Sequence, residues 1–415
     1  VTRRVLHVLS QRPSLTGSGI TLDALVRHAD EAAWEQRVLV GEPVDAPIPG
    51  IGGLSTERID RVTFRGVDPS TPADLDFPVP GMSDVMPYES TRFSTMGSAM
   101  LDAYREAWTR KLAEIVREFR PHVIHAHHAW IVTSLLHVAA ADTARVLHGH
   151  GTGLRQMALC PKLADEVRGG GSKMDSVVVL HEEHASQYAA ELGIEASRIR
   201  VVGAGYRDEI FHARDRVSDA SATIVYAGKL SKAKGLDCLL DAVDQLRDGF
   251  PDLVLRVAGG GSGDEARDLE SRMASMGARV EMHGRLDQRA LSDLLRQSSV
   301  FVLPSFYEGL PLVLVEALAC GCRLVSTDLP GVRSGLAPSL GDALDLVAPP
   351  RLQSVDVPVA EDVPAFVERL AGAMDVALRR GPVDVGGPSL DALLEPFTWR
   401  AVFARIERVW DDVIG

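Results

Sequence analysis

Two glutamates, Glu308 and Glu316, stand with seven residues between them in the segment Ser305-Phe306-Tyr307-Glu308-Gly309-Leu310-Pro311, which runs on to Ala317-Leu318-Ala319-Cys320-Gly321. Glu308 adjoins a Gly-Leu-Pro turn, and Glu316 falls about two helical turns later. Eight residues of helix rotate a side chain by roughly 800°, which would aim both carboxylates toward nearly the same side. Carboxylates accept hydrogen bonds from hydroxyls, and free N–H groups at a helix start attract anions. Together they suit a ligand with hydroxyls at both ends and phosphates between, as in a nucleotide sugar. The plainer alternative is an amphipathic helix with two solvated glutamates, since Leu312, Val313, Leu314, Val315, Leu318 and Ala319 supply a core face. The preceding residues favour the ligand. Val300-Phe301-Val302-Leu303 reads as a buried strand, and parallel α/β sheets bind ligands just beyond such strand ends.

The elements around this segment alternate between strand and helix, which argues for parallel sheets. Strands are expected over 5–9, 36–40, 123–126, 144–148 and 177–180, then over 223–227, 253–257, 279–283, 300–303 and 323–326. Helices are expected over 21–30, 107–119, 183–192 and 397–414. With 415 residues the chain exceeds one ordinary core, so two domains are expected. Residues 1–205 form the first, 206–396 the second, and 397–415 a terminal helix. Residues 42–98 break the rhythm with Pro and Gly. They read as a long loop insertion, expected to be a lid over an acceptor site.

Beyond the glutamate pair, the chain resembles the retaining family-4 glycosyltransferases in three more stretches. These are Val225-Tyr226-Ala227-Gly228-Lys229-Leu230-Ser231-Lys232-Ala233-Lys234-Gly235, Leu255-Arg256-Val257-Ala258-Gly259-Gly260-Gly261 and Val280-Glu281-Met282-His283-Gly284-Arg285-Leu286. The resemblance covers most of residues 200 to 335 and extends more loosely over the first half. It implies the α/β fold called GT-B, with two Rossmann-like domains whose parallel sheets face each other across a cleft. The first would bind acceptor and the second a nucleotide sugar, with the last helix returning to the first domain.

Moving a glycosyl group builds positive charge at the anomeric carbon and negative charge on the departing diphosphate, so fixed cations are needed. Lys229 and Lys234 follow a strand and can converge on one phosphate pair. The family usually carries Arg where Lys229 stands, and the change keeps the charge but loses a two-pronged contact. Gly17, Ser18 and Gly19, read as a loop before the first helix, would let backbone N–H groups meet the donor phosphates. By the resemblance, Glu308 would hold sugar hydroxyls, and Gly309, Leu310 and Pro311 would meet phosphate. Glu316 would bind the ribose, while Arg285 and Leu286 would frame the base. A histidine at the end of the strand over 144–148, in His148-Gly149-His150-Gly151-Thr152-Gly153, would contact the sugar near its reacting face. His150 is preferred, with His148 the rival. Met82, Tyr88, His127, Trp130 and Arg155 are the candidate acceptor contacts. The donor would be a UDP- or GDP-sugar, with no cofactor and no metal, and the sugar would keep its anomeric configuration.

Departures from the family pattern fall in the first half and at Val202-Gly203-Ala204-Gly205-Tyr206, where Pro-Asn-Gly-Val is common. They leave the acceptor open. The first half carries a looser resemblance to sulfur-glycosylating enzymes of lincosamide-type pathways, which use a GDP-activated octose and a thiol such as ergothioneine. A sugar-nucleotide epimerase of the same fold, or a nucleotide-sugar sensor without turnover, are the competing functions.

Bulk composition narrows the field. A net charge of −13 argues against nucleic acid and against a standing attachment to an anionic membrane, and it leans toward a soluble small-molecule acceptor. No apolar run approaches a membrane span, and the short one at Val5 to Leu9 reads as a strand and not a leader. Cys160, Cys238, Cys320 and Cys322 sit at no metal-ligand spacing, so a reduced, cytoplasmic protein is expected, with a homodimer left open. Three motifs look like distractors. Asp74-Leu75-Asp76 imitates a metal-binding Asp-x-Asp but follows no buried strand. His122, His125, His127, His128, His137, His148 and His150 imitate a metal cluster without a carboxylate or cysteine. Gly259-Gly260-Gly261-Ser262-Gly263 has the wrong spacing for a dinucleotide fingerprint.

Overall fold

The computed structural model describes the chain except at residues 1, 14–15, 84–85, 215, 217–221 and 385–387, and except for the side chains of residues 388–389. It divides into two compact units, Val1–Ala204 with Trp399–Gly415, and Gly205–Thr398.

Apolar runs bounded by polar and small residues make the strands of the first unit. They are β1 (Arg4–Leu9), β2 (Glu35–Pro43), β3 (Ile59–Phe64), β4 (Val123–His127), β5 (Ala144–Gly149), β6 (Ser176–Val179) and β7 (Ile199–Val201). They form one sheet in the order β3-β2-β1-β4-β5-β6-β7, parallel throughout. Strand order reverses between β1 and β4, the place where open α/β sheets gather ligands.

One face of this sheet is closed by the chain's last helix, Trp399–Ile414. Its buried residues Trp399, Val402, Phe403, Ile406, Val409 and Trp410 recur at helical spacing and pack on Val5, Val123, Val146 and Val178 of the strands. Polar contacts fix the helix in place. Arg3 pairs with Glu407 at 3.0 Å, Trp34 Nε1 donates to Glu407 at 2.9 Å, and Arg405 Nε donates to the Val202 carbonyl at 2.8 Å.

The second unit holds β8 (Thr223–Ala227), β9 (Val254–Ala258), β10 (Val280–Gly284), β11 (Val300–Leu303), β12 (Arg323–Thr327) and β13 (Leu344–Val347). Their order is β10-β9-β8-β11-β12-β13, again parallel. The reversal here lies between β8 and β11. A small antiparallel pair, Leu352–Ser354 with Val357–Pro358, stands apart.

Three expectations need correction. The first helix runs Gly17–Glu31, because the Thr16 side chain caps it by accepting from Gly19 N. Gly17, Ser18 and Gly19 are thus its opening turn and not a loop. Gly19 is required by close packing, since a Cβ there would lie 1.6 Å from the Pro13 carbonyl oxygen. The helix expected over 107–119 begins nine residues earlier, as Ser98–Phe119.

The third correction concerns residues 42–98, which are not one long loop. They contribute β3 and bury Leu75, Phe77, Val79, Met82 and Phe93 in the main core of the first unit. Bridges Phe64↔Leu75 and Pro80↔Thr91 tie the segment down.

The closing helix should therefore carry a large share of the first unit's stability. Phe403→Ala, truncating a side chain 5% exposed, should cost about 3–5 kcal/mol in urea unfolding. A loss below about 1 kcal/mol would mean that the helix is only a surface attachment.

Candidate functional site

In the second unit the chemistry collects at the switch point, where the C-terminal ends of β8 and β11 lie side by side. Past β8, Tyr226 Oη donates to the Lys229 carbonyl at 2.7 Å, tethering the loop. Lys229 itself is exposed. The loop continues through a short turn, Lys232–Lys234, to Gly235, whose φ of 66° is left-handed. A Cβ at Gly235 would lie 2.1 Å from the Pro304 carbonyl oxygen, so glycine alone lets this loop press against the one after β11. Phe306 N donates to the Ala233 carbonyl at 3.0 Å and seals the two together.

That contact delivers Lys234 to Glu308. Lys234 Nζ lies 2.7 Å from Glu308 Oε1 and 3.3 Å from the Tyr307 carbonyl. Ser305 Oγ donates to the same carboxylate oxygen at 2.7 Å. The residues expected to hold phosphate and sugar thus form one ion pair in this structure. Beyond it, the N–H groups of Gly309 and Leu310 have no partner among the described residues. Pro311 stands at the N-cap of the helix Leu312–Ala319.

Glu308 precedes that helix, so helical rotation does not relate it to Glu316 as the spacing suggested. Glu316 lies within the helix, and burial lifts its carboxyl to about 7. Its side chain has no hydrogen-bond or ion-pair partner among the described residues. Arg285 is exposed beyond β10, across Gly260, and Leu286 is half-buried.

In the first unit, Ser18 is buried and accepts from Gln11 Nε2 at 2.7 Å. Gly19 N–H is spent on Thr16, so an anion here would be met at Gly17 and Ser18 and not at Gly19. Gln11 Oε1 also accepts from Met82 N at 3.2 Å, and its Nε2 lies 3.4 Å from His128 Nε2. No motif in the sequence marks Gln11.

His150 caps the helix Gly151–Leu159 and stays partly exposed, whereas its rival His148 is 1% exposed. Exposure therefore separates the two. His150 Nε2 lies 3.0 Å from His127 Nδ1, its carbonyl accepts from Tyr188 Oη at 2.7 Å, and burial lowers its pKa to about 3. It is a neutral ring at physiological pH. His127 is buried behind it.

Met82 and Trp130 are core residues at 3% and 1% exposure, so the acceptor contact expected of them gives way to packing. The Trp130 ring meets Phe93 edge-on at 5.3 Å. Tyr88 is half-buried with the Arg12 guanidinium 5.4 Å from its ring. Arg155 is exposed on its helix.

The distractors resolve into structural roles. Asp74 accepts from Thr63 N and Oγ1 and from Arg110. All four cysteines are buried and none is in a disulfide, and burial pushes the Cys320 and Cys322 thiols up to about 11 and 12. His125, His127 and His148 bring ligand atoms within 4.8 Å of one another. However, Trp410 Nε1 donates to His125 Nδ1 at 3.0 Å. A metal-bound histidine donates its second N–H to an acceptor, and here that position faces a donor.

Two family models match the chain. A glycosyl transferase 4-like domain spans residues 16–205, and glycosyl transferases group 1 spans residues 208–339. The chain belongs to the group 1 glycosyltransferases. The phosphatidyl-myo-inositol mannosyltransferase of Mycobacterium tuberculosis is 31% identical over 195 residues, 46% of this chain and 48% of that protein. The chain thus spans about half the length of these curated relatives. The glycogen synthase of the same organism is 25% identical over 289 residues, 64% and 68% of the two chains. Among solved structures, sucrose-phosphate synthase from Thermosynechococcus elongatus superposes with a TM-score of 0.65 at 16% identity, covering 99% of this chain and 98% of that one. The fold is GT-B, built from two Rossmann-like units.

Glu316 yields a test independent of any ligand. A folded carboxyl raised to about 7 binds a proton that the unfolded chain releases near its ordinary value of 4.5. Stability from this group is full below that value and lost as pH rises through 7. Glu316→Gln should therefore stabilise the ligand-free protein by about 1–2 kcal/mol at pH 8 and leave it nearly unchanged at pH 5. Destabilisation at pH 8 would show that the carboxylate is satisfied within the fold.

Proposed function

We propose that this protein is a retaining, metal-independent glycosyltransferase that moves a sugar from a nucleotide-sugar donor to a soluble small-molecule acceptor. The observation that carries this reading is the set of groups at the β8–β11 switch point. Lys234 pairs with Glu308 there, the N–H groups of Gly309 and Leu310 have no partner among the described residues, and Glu316 follows on the next helix, in a chain of this family.

Each group has a task in the transfer. As the bond from the anomeric carbon to the phosphate oxygen breaks, negative charge collects on the diphosphate. Lys234, Lys229 and the N–H groups of Gly309 and Leu310 stabilise it without having to reorient. Glu308 turns to sugar hydroxyls when phosphate takes over Lys234, and Glu316 accepts hydrogen bonds from the ribose. The acceptor attacks on the face the phosphate leaves, and its proton passes to the departing phosphate oxygen. Retention then needs no enzyme carboxylate as nucleophile.

A cavity of about 710 Å³ in the first unit supports the small acceptor. Its size is that of pockets for small organic ligands. It opens between the ends of β2 and β3 and mixes charged Arg12, Asp45, Arg65 and Glu89 with the proline walls Pro43 and Pro78. Arg12 is already held by Glu42 at 2.9 Å, whereas Arg65 and Glu89 form no ion pair among the described residues. A polar natural product fits such a lining better than a lipid chain does. A thiol-bearing acceptor, giving S-glycosylation, follows from the looser resemblance of the first half.

Incubation with UDP-, GDP-, ADP- and dTDP-sugars, with and without thiol and hydroxyl acceptors, tests the proposal by mass spectrometry and NMR of the product. Transfer should require an acceptor, survive EDTA, and keep the donor's anomeric configuration. Donor conversion without acceptor would indicate an epimerase, and binding without turnover a sensor. An inverted product would overturn retention.

A further inference from the structure

Two buried histidines of the first unit, His125 and His148, are ordered by a single donor. Trp410, on the closing helix, is fully buried, and its Nε1–H points at His125 Nδ1 from 3.0 Å. An indole nitrogen only donates, so His125 must present a bare lone pair there. Burial, reinforced by His7 and His150, holds the His125 pKa well below its usual value. The ring is neutral, and its one proton sits on Nε2. That nitrogen lies 3.1 Å from His148 Nδ1, which therefore accepts. His148 is likewise kept neutral by burial and carries its proton on Nε2, where no partner meets it among the described residues.

One donor-only side chain thus sets two tautomers in succession, and the second ring supports His150. The His148 and His150 rings stack at 4.5 Å with planes 5° apart. His127 stacks on both at 5.3 Å and bonds His150 Nε2. His150 therefore has little freedom to rotate while His148 holds its plane.

We propose that Trp410 is a positioning residue for His150. Its N–H fixes the tautomers of His125 and His148, and the His148 ring, so oriented, holds the plane of His150. The catalytic half rests on the reading of His150 as part of the transferase site, and the tautomer half stands without it.

The experiment is long-range 1H–15N correlation NMR on the full chain labelled at histidine, for the wild type and Trp410→Phe. Trp34→Phe is the control, because its indole also packs on Trp410 but donates to Glu407. The wild type should show the Nε2–H form at both His125 and His148. Trp410→Phe should release His125 into a mixture and shift the His150 ring signals, while Trp34→Phe leaves all three unchanged. Transfer by Trp410→Phe should lose about tenfold in kcat with donor KM changed less than about twofold.

An Nδ1–H form at His125 or His148 in the wild type overturns the proposal without any variant. So does a Trp410→Phe spectrum matching the wild type, or a loss that appears equally in Trp34→Phe. A wild type with the expected tautomers but no transferase activity would instead sink the functional reading alone. If Trp410→Phe fails to fold, His125→Asn breaks the same relay one step later and should move the His148 and His150 signals.

Discussion

The ion pair between Lys234 and Glu308 is the constraint on which the second unit's chemistry depends. The two residues are 74 positions apart and meet only because β8 and β11 are neighbours in a parallel sheet. Their loops touch because Gly235 has no side chain to hold them off. A partly exposed pair of this kind adds little stability. Its effect is on position: an ammonium and a carboxylate wait at the strand ends, each able to exchange its partner for one on a ligand. Glu316 adds a carboxyl whose burial disfavours its charged form. Such a residue works against the stability of the ligand-free fold, as functional groups often do.

The first unit solves a different problem, that of placing many polar rings inside a core. His125, His127, His148 and His150 have their pKa values lowered by burial and form histidine–histidine contacts, while His7 and His128 meet Gln36 and Thr152. The closing helix covers the sheet with apolar side chains, and through Trp410 it supplies the donor that orders the rings. His128 takes a left-handed backbone conformation (φ 69°) at the end of β4, and its Nδ1 lies 2.9 Å from Thr152 Oγ1. Backbone strain of this kind persists only where surrounding contacts determine it.

How much of this the sequence reveals depends on how local each signal is. The strands at 223–227 and 300–303 are legible to the residue, because an apolar run between polar neighbours is a local pattern. The start of the first helix is not, because Gly17 and Gly19 look like a loop until Thr16 is seen capping it and Pro13 is seen crowding Gly19. The Pro- and Gly-rich stretch after residue 42 hides β3, whose pairing with β2 is a tertiary fact. Met82 and Trp130, candidate acceptor contacts by sequence, pack inward. Lys234, Glu308 and Glu316 are each legible from spacing, yet neither the meeting of the first two nor the elevated carboxyl of the third is written locally. The meeting of Trp410 with His125, 285 positions apart, leaves no mark in the sequence.

The most direct measurement is calorimetric titration of UDP and GDP into the wild type, Lys234→Ala and Glu308→Gln. If Glu308 holds Lys234 only until phosphate arrives, Lys234→Ala should weaken the preferred diphosphate by about tenfold or more. Glu308→Gln should bind it as tightly as the wild type or tighter, because the ammonium no longer has a competing anion. Equal weakening by both substitutions, or no effect of either, would contradict the account.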